Sequence, residues 1–192
     1  MTALSRPQNG FTMIELVVAM AVLGILMAIA MPSFVETMGN SRIRSVAESV
    51  TSGLQFARSE AVRRNEKIRF SLDSSTGNWT VRRSADNTCV FDGDVLQTRA
   101  TTSSSTAVVV TTFSDVPATA ATTAQVYVYG PNGSQAQDCM DAVEQFVALR
   151  IDSSSLAADD SRDLRLVAPP VGRARLCDPH VTTGDTRECP TS

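Results

Sequence analysis

The feature that most constrains this chain is an apolar run from Phe11 to Met31 with a single charge, Glu15, close to its start. As an α-helix, the 21 residues of this run would be roughly 31 Å long, about the thickness of the hydrocarbon core of a bilayer. A carboxylate inside such a segment costs on the order of 2.5–3.5 kcal/mol on insertion scales. We therefore expect Glu15 to have a partner that compensates for this cost.

Residues 10–15, Gly-Phe-Thr-Met-Ile-Glu, resemble the cleavage motif of type IV prepilins and type II secretion pseudopilins. The resemblance implies that a prepilin peptidase removes a leader, residues 1–10, by cutting after Gly10, and that the new terminal Phe11 is N-methylated. It also implies that Glu15 pairs with the terminal amine of a neighbouring pilin during assembly. A secretory signal peptide is one alternative, but its apolar core runs only about 7–15 residues and precedes the cut. A plain signal anchor is the other, but an anchor does not require Glu15.

The same resemblance implies a location. The protein would cross the inner membrane once before assembly and would then be extracellular or periplasmic in a pilus. Residues 11–31 would be the transmembrane half of the N-terminal helix.

The helical pattern continues beyond the apolar run, through Pro32 to about Asn65. Apolar residues recur there at spacings of three and four, with charged residues between them. We predict one helix from about Phe11 to Asn65, with residues 32–65 as an amphipathic half that packs on a globular domain. The predicted apolar stripe consists of Ile43, Val46, Val50, Leu54, Ala57, Ala61 and Val62.

Beyond Asn65 the periodicity changes to two, which predicts a β-rich globular domain over residues 66–192. Residues 67–83, with a turn at Ser74 to Asn78, form a predicted hairpin. Residues 99–106 and 114–124 are rich in Thr, Ser and Ala and are predicted to be loops. The fold class is α+β, a long helix packed on an antiparallel sheet or sandwich. Further predicted strands are 95–98, 107–113, 125–129, 146–152 and 164–168, with a turn at 131–134.

Four cysteines in a chain with a membrane-anchor pattern suggest disulfides formed in an oxidising periplasm. Three pairings are possible. We favour Cys177–Cys189, which would close a short C-terminal loop, and this leaves Cys89–Cys139. Zinc is the alternative, but no C-x-x-C pair is present and the chain has one histidine, so we expect no metal.

Residues 57–61, Ala-Arg-Ser-Glu-Ala, resemble a stretch of the H-type pseudopilins and of the FimT/FimU-type minor pilins. Together with the leader motif, this resemblance covers residues 10–65 well. We expect Arg58 and Glu60 to lie on a solvated helix face.

The C-terminal part carries a basic segment in a chain whose net charge is −3. Between residues 162 and 175 a single acid, Asp163, accompanies four arginines. In an extended segment, Arg173 and Arg175 would project from one face, roughly 7 Å apart. The planar guanidinium suits phosphate oxygens. The four arginines are Arg162, Arg165, Arg173 and Arg175.

Residues 172–175, Gly-Arg-Ala-Arg, resemble the Gly-Arg-x-Arg motif of FimT-type minor pilins, which bind DNA taken up in natural transformation. The resemblance implies double-stranded DNA as a partner, without sequence preference, with contacts from Arg173 and Arg175 and with Gly172 as the shaping residue. We include Arg165 and Arg162 in this predicted site. The alternatives are solvated arginines, or arginines that pair with Asp163, Asp178 or a neighbouring subunit. The protein would then be a structural FimU-type minor pilin that primes pilus assembly, or an H-type pseudopilin of a type II secretion system.

Motifs for catalysis are missing from the sequence. A Cys177–His180 pair could be drawn, but we expect Cys177 to form a disulfide. No nucleophile elbow, phosphate-binding glycine loop or paired-histidine metal motif is present. We therefore expect neither enzymatic activity nor a cofactor.

Overall fold

The computed structural model describes residues 11–100, 108–114, 121–140 and 144–190. The chain divides into two compact units, Met1–Thr37 and Met38–Ser192. One α-helix and nine strands are present in the described ranges. They are α1 (Met13–Arg64), β1 (Ile68–Leu72), β2 (Trp79–Arg83), β3 (Val95–Arg99), β4 (Val108–Phe113), β5 (Ala121–Thr122), β6 (Val126–Tyr129), β7 (Ala148–Ser153), β8 (Leu164–Val167) and β9 (Arg175–Cys177).

The long helix is confirmed, since α1 begins two residues after the predicted start and ends one residue before Asn65. Apolar side chains at its beginning, such as Leu16 and Ile25, are exposed. Within the described ranges no single straight helix meets the length and apolarity of a membrane span. The bent pair Met13–Ile29 and Ser33–Arg64 meets them by length and composition.

The strands form two antiparallel sheets, one with four strands and one with five. The first has the order β3-β2-β1-β6, and the second has the order β5-β4-β7-β8-β9. The predicted hairpin is the β1–β2 pair, in which Leu72 lies opposite Trp79. Its turn is closed by a hydrogen bond from the Gly77 amide to the Asp73 carbonyl, 2.8 Å long.

Two of the nine strands were not predicted. β5 falls inside the region that we expected to be a loop, and β9 lies in the basic segment. Both are short, two and three residues, so neither can show a repeating pattern in the sequence. They are defined by pairing with β4 and with β8, respectively.

The main core lies between α1 and the inner faces of both sheets. The predicted stripe from Ile43 to Ala61 is buried in it, and Phe70, Tyr127 and Phe146 are its largest fully buried side chains. Val62 was wrongly included in the stripe, since 54% of this residue is exposed. Its neighbour Ala61 already occupies the core-facing position, and one residue later the helix has turned by about 100°.

Disulfides join the cysteines in the favoured pairing. Cys89 is bonded to Cys139, and Cys177 is bonded to Cys189. The second bridge packs with Ala148 and Val167 in a small cluster on the face of the second sheet that is turned away from the main core. The C-terminal loop is therefore fixed against β8 and β9.

Candidate functional site

At the beginning of α1, Glu15 has a partner within its own chain. Its carboxylate accepts hydrogen bonds from the backbone amide of Thr12 (3.3 Å) and from the Thr12 hydroxyl (3.4 Å). The amide of Glu15 in turn donates to the Thr12 hydroxyl at 3.3 Å. This reciprocal arrangement is a capping box, which satisfies helix N-terminal amides. Sequence reasoning missed it, although Thr-x-x-Glu is its signature.

The C-terminal segment comprises β8, β9 and the residues that follow them. Its loop between β8 and β9, residues 168–174, is held at several points. The Tyr127 hydroxyl donates to the carbonyl of Pro169 at 2.8 Å, and the Gln135 amide donates to the carbonyl of Pro170 at 2.8 Å. Burial raises the pKa of Tyr127 above its ordinary value, so the hydroxyl keeps its proton and remains a donor. The Ala168 amide donates to Val147. The loop therefore presents its tip in a defined position.

Gly172 lies at that tip with φ at +117°, in the region that favours glycine. A Cβ at this position would meet only Pro169, at an ordinary 3.6 Å. The glycine is therefore required by the backbone conformation of this turn. Val171 beside it is 79% exposed.

Arg173 is exposed and lines a groove of about 520 Å³ next to the C-terminal part of α1. Because β9 begins only at Arg175, the spacing predicted from strand alternation does not apply to Arg173. The floor of the groove is apolar, and three arginines stand around it. The lining residues are Gln55, Arg58, Ser59, Val62, Arg63, Tyr129, Arg173 and Ala174.

Arg175 is exposed on β9, directly opposite Val167. Ala174 is buried in the main core and Leu176 packs against it, so Arg175 faces away from that core. Arg165 lies opposite Cys177, on the same face and diagonal to Arg175. Such diagonal positions are about 7–8 Å apart. The structure thus brings Arg165 close to Arg175.

Arg162 lies elsewhere. It precedes β8, whereas Arg173 precedes β9, and antiparallel pairing puts the two at opposite ends of the β8–β9 pair. Arg162 lines a cavity together with Asp159 and Asp178, which supply negative charge. The structure therefore does not bring Arg162 together with Arg173.

Asp163, which the sequence offered as a partner for these arginines, is engaged elsewhere. It is buried and accepts a hydrogen bond from Nε of Arg150 at 2.7 Å, and it also contacts Nε2 of His180. Among the described residues no carboxylate lies within ion-pair distance of Arg173 or Arg175.

The expectation of a solvated face at Arg58 and Glu60 is wrong. Glu60 is only 8% exposed and binds both Arg63 and Arg64 at 2.6 Å. Hydrogen bonds from Arg63 and then Arg64 hold the pKa of Glu60 below its usual range. Nε of Arg58 donates to the carbonyl of Gly133 at 2.8 Å, which fixes the predicted 131–134 turn against α1.

A metal site is not formed by the acidic and sulfur groups of the described residues. The one cluster with suitable atoms combines Asp138 with Cys89 and Cys139, whose sulfurs are bonded to each other. Asp138 instead binds Nζ of Lys67, whose hydrogen bond lowers the pKa of that carboxyl.

Comparison with known proteins gives two family matches. The model of the family described as Type II transport protein GspH matches residues 46–169, and that of the Prokaryotic N-terminal methylation motif matches residues 5–31. A search of curated proteins gives no match.

Solved structures similar to this chain include two kinds of filament subunit. One is the type IV minor pilin FimU of Pseudomonas aeruginosa, with 19% identity over 71% of this chain and 88% of that one, and a TM-score of 0.42. Another is the minor pseudopilin EpsH of the type II secretion system of Vibrio cholerae, with 15% identity over 74% and 98% and a TM-score of 0.49.

The family matches cover the N-terminal motif and most of the globular domain, and they end before Arg173 and Arg175. The methylation motif, followed by an apolar helix, indicates processing by a prepilin peptidase, anchoring in the inner membrane and incorporation into a filament with other pilins. The GspH match covers more than half of the chain, from the amphipathic part of α1 to Pro169. The chain therefore belongs to the GspH family, among the structural pilins and pseudopilins.

Proposed function

We propose that this protein is a minor type IV pilin that binds double-stranded DNA without sequence preference and supports DNA uptake in natural transformation. Arg173 and Arg175 are the contact residues, and Arg165 adds positive charge beside Arg175. The observation that carries the proposal is a pair of exposed arginines with no described carboxylate partner, on a segment fixed by hydrogen bonds and a disulfide. Arg162, beside two acids, is left out of the site.

The mode of binding follows from these side chains. Guanidinium groups bind phosphate oxygens through paired N–H donors, and such contacts carry no base information. The described part of the segment contains strands and loops but no helix that could enter a major groove. With few phosphate contacts, we expect a Kd of about 10⁻⁴–10⁻⁶ M for a single subunit at physiological salt. Several subunits in one filament would raise the apparent affinity.

The competing function is structural. The matched family is described as a type II transport protein. Its match, residues 46–169, ends before Gly172 and therefore does not contain Arg173 or Arg175. A FimU-type pilin that primes assembly, or a pseudopilin of a secretion system, would need the N-terminal motif but not Arg173 or Arg175. The two functions therefore make different demands on the C-terminal segment.

An experiment in the cells that produce the protein separates these possibilities. The chromosomal copy is replaced by the Arg173→Ala/Arg175→Ala variant, and fluorescent duplex DNA taken up by cells is counted alongside pili in a sheared fraction. We expect normal pili with loss of uptake, because the altered side chains are exposed and pack in no core. Loss of pili, or uptake at the wild-type level, would instead favour the structural function.

A further inference from the structure

The groove beside α1 combines an apolar floor with arginines around it. Its floor consists of Ala174 and Tyr129, with the half-exposed side chain of Val62 at one side. Arg58, Arg63 and Arg173 supply the charge around this floor. An apolar strip between cations differs from an ordinary solvated surface, where charges of both signs alternate.

The charge of this groove is positive even after its internal ion pairs are counted. Glu60 is shared between Arg63 and Arg64, so a single negative charge is set against both. The three arginines that line the groove, Arg58, Arg63 and Arg173, set against Glu60, leave two positive charges. Arg58 uses its Nε on Gly133, but a guanidinium carries five N–H donors, so it can bind a further acceptor.

We infer that this groove receives a stretch of DNA sugar–phosphate backbone and extends the DNA interface from Arg173 onto α1 through Arg58 and Arg63. The inference rests on the proposed function. Phosphates lie against the guanidinium groups, and deoxyribose, the apolar part of the backbone, packs on Val62 and Ala174. Phosphate and sugar contacts set the position of a protein on DNA without reading its sequence.

The rigidity of the groove supports this use. Arg58 is fixed by Gly133, whose own position leaves no room for a side chain, since a Cβ there would lie 2.9 Å from Val62. On the opposite side, the loop before Arg173 is held by Tyr127 and Gln135. A cationic groove that is already formed loses little conformational entropy when it binds a polyanion.

The test measures the salt dependence of DNA binding by the full chain in detergent micelles. Each phosphate contact contributes about 0.9 to the slope of log K against log salt concentration. Arg63→Gln should lower the slope by about 0.9 and weaken binding equally for unrelated duplexes. Arg63→Lys should restore the slope, because lysine keeps the charge. Thermal unfolding of each variant checks that Glu60 is still held by Arg64.

A matched control is available on the same helix. Arg44 is exposed and pairs with a glutamate one turn away, as Arg63 does, with side-chain exposures of 76% and 63%. It lies about 28 Å from Arg63 along α1, well beyond the roughly 8 Å screening length of physiological salt. Arg44→Gln should leave affinity and slope unchanged.

The outcomes separate the two proposals. A wild-type slope for Arg63→Gln, in a protein whose binding is lost in Arg173→Ala/Arg175→Ala, overturns the groove and leaves the proposed function intact. Absence of DNA binding by the wild-type chain at low salt overturns the proposed function itself. A slope reduced in Arg63→Gln, restored in Arg63→Lys and unchanged in Arg44→Gln supports the groove.

Discussion

At the scale of single residues, Gly172 shows how the backbone determines the position of a charge. The chain turns there at a φ of +117° and then leads directly into Arg173. A residue with a Cβ is strained in this conformation by about 1–3 kcal/mol. The turn therefore holds only with glycine, and Arg173 depends on the turn for its place beside the groove.

Gly172→Ala should lower the free energy of unfolding by about 1–3 kcal/mol or move the loop, and it should weaken DNA binding. Denaturant unfolding and a DNA titration measure the two effects. Gly184→Ala is the control, because Gly184 also has a positive φ, +97°, with open space around it, but lies in the loop closed by Cys177–Cys189. If both substitutions reduce DNA binding equally, Gly172 has no special role.

The sequence predicted some residues of this site and missed others. Gly172, Arg173 and Arg175 fall within four successive positions, and such a short motif is visible without a fold. Its physical basis was not visible, because φ cannot be read from the sequence. The missed residues, Arg58 and Arg63, lie more than one hundred positions earlier in the chain. Only the packing of α1 beside the C-terminal segment brings them together with Arg173.

At the scale of elements, the last turns of α1 show an ion pair in a structural role. Glu60 is nearly buried, and Arg63 and Arg64 keep its pKa below the ordinary value. A carboxyl group with a lowered pKa in the folded state stabilises the fold at every pH above its unfolded pKa, about 4.3. That stabilisation is lost as the pH falls through the folded pKa.

Glu60→Gln should therefore destabilise the protein at pH 7, and the difference from wild type should shrink as the pH falls below about 4.3. Urea unfolding at a series of pH values measures this difference. In the control Glu48→Gln, the glutamate is 59% exposed and its pair with Arg44 should contribute little at any pH. A Glu60→Gln difference that stays constant down to acidic pH would mean that the carboxylate charge is not involved.

The elements that the sequence predicted well are those long enough to show a period. α1 and the β1–β2 hairpin were confirmed because several successive turns, or several alternating pairs, repeat one pattern. β5 and β9 have two and three residues and exist only through their partners. The groove did leave a signal on α1, since Gln55, Arg58, Ser59 and Val62 recur at spacings of three and four on one helix face.

At the scale of the whole molecule, we propose separate tasks for the two ends of the chain. The N-terminal end carries the processing motif. We propose that Glu15 pairs with the terminal amine of a neighbouring subunit in the filament. In the free chain its carboxylate accepts a hydrogen bond from Thr12. The C-terminal segment carries positive charge in a chain whose net charge is −3. Because the remainder of the chain is acidic, we expect DNA to be attracted to this segment rather than to the whole protein.

DNA binding by Arg173 and Arg175 is tested most directly by fluorescence anisotropy of labelled duplexes with the purified full chain in detergent micelles. The wild type should bind unrelated sequences equally, with a Kd of about 10⁻⁴–10⁻⁶ M at physiological salt, and more tightly at low salt. Arg173→Ala/Arg175→Ala should lose this binding. The control variant Arg42→Ala/Arg44→Ala removes two exposed charges that lie on α1, two positions apart as Arg173 and Arg175 are. It should bind DNA as the wild type does. Equal affinity of the Arg173→Ala/Arg175→Ala variant and the wild type would contradict the assignment.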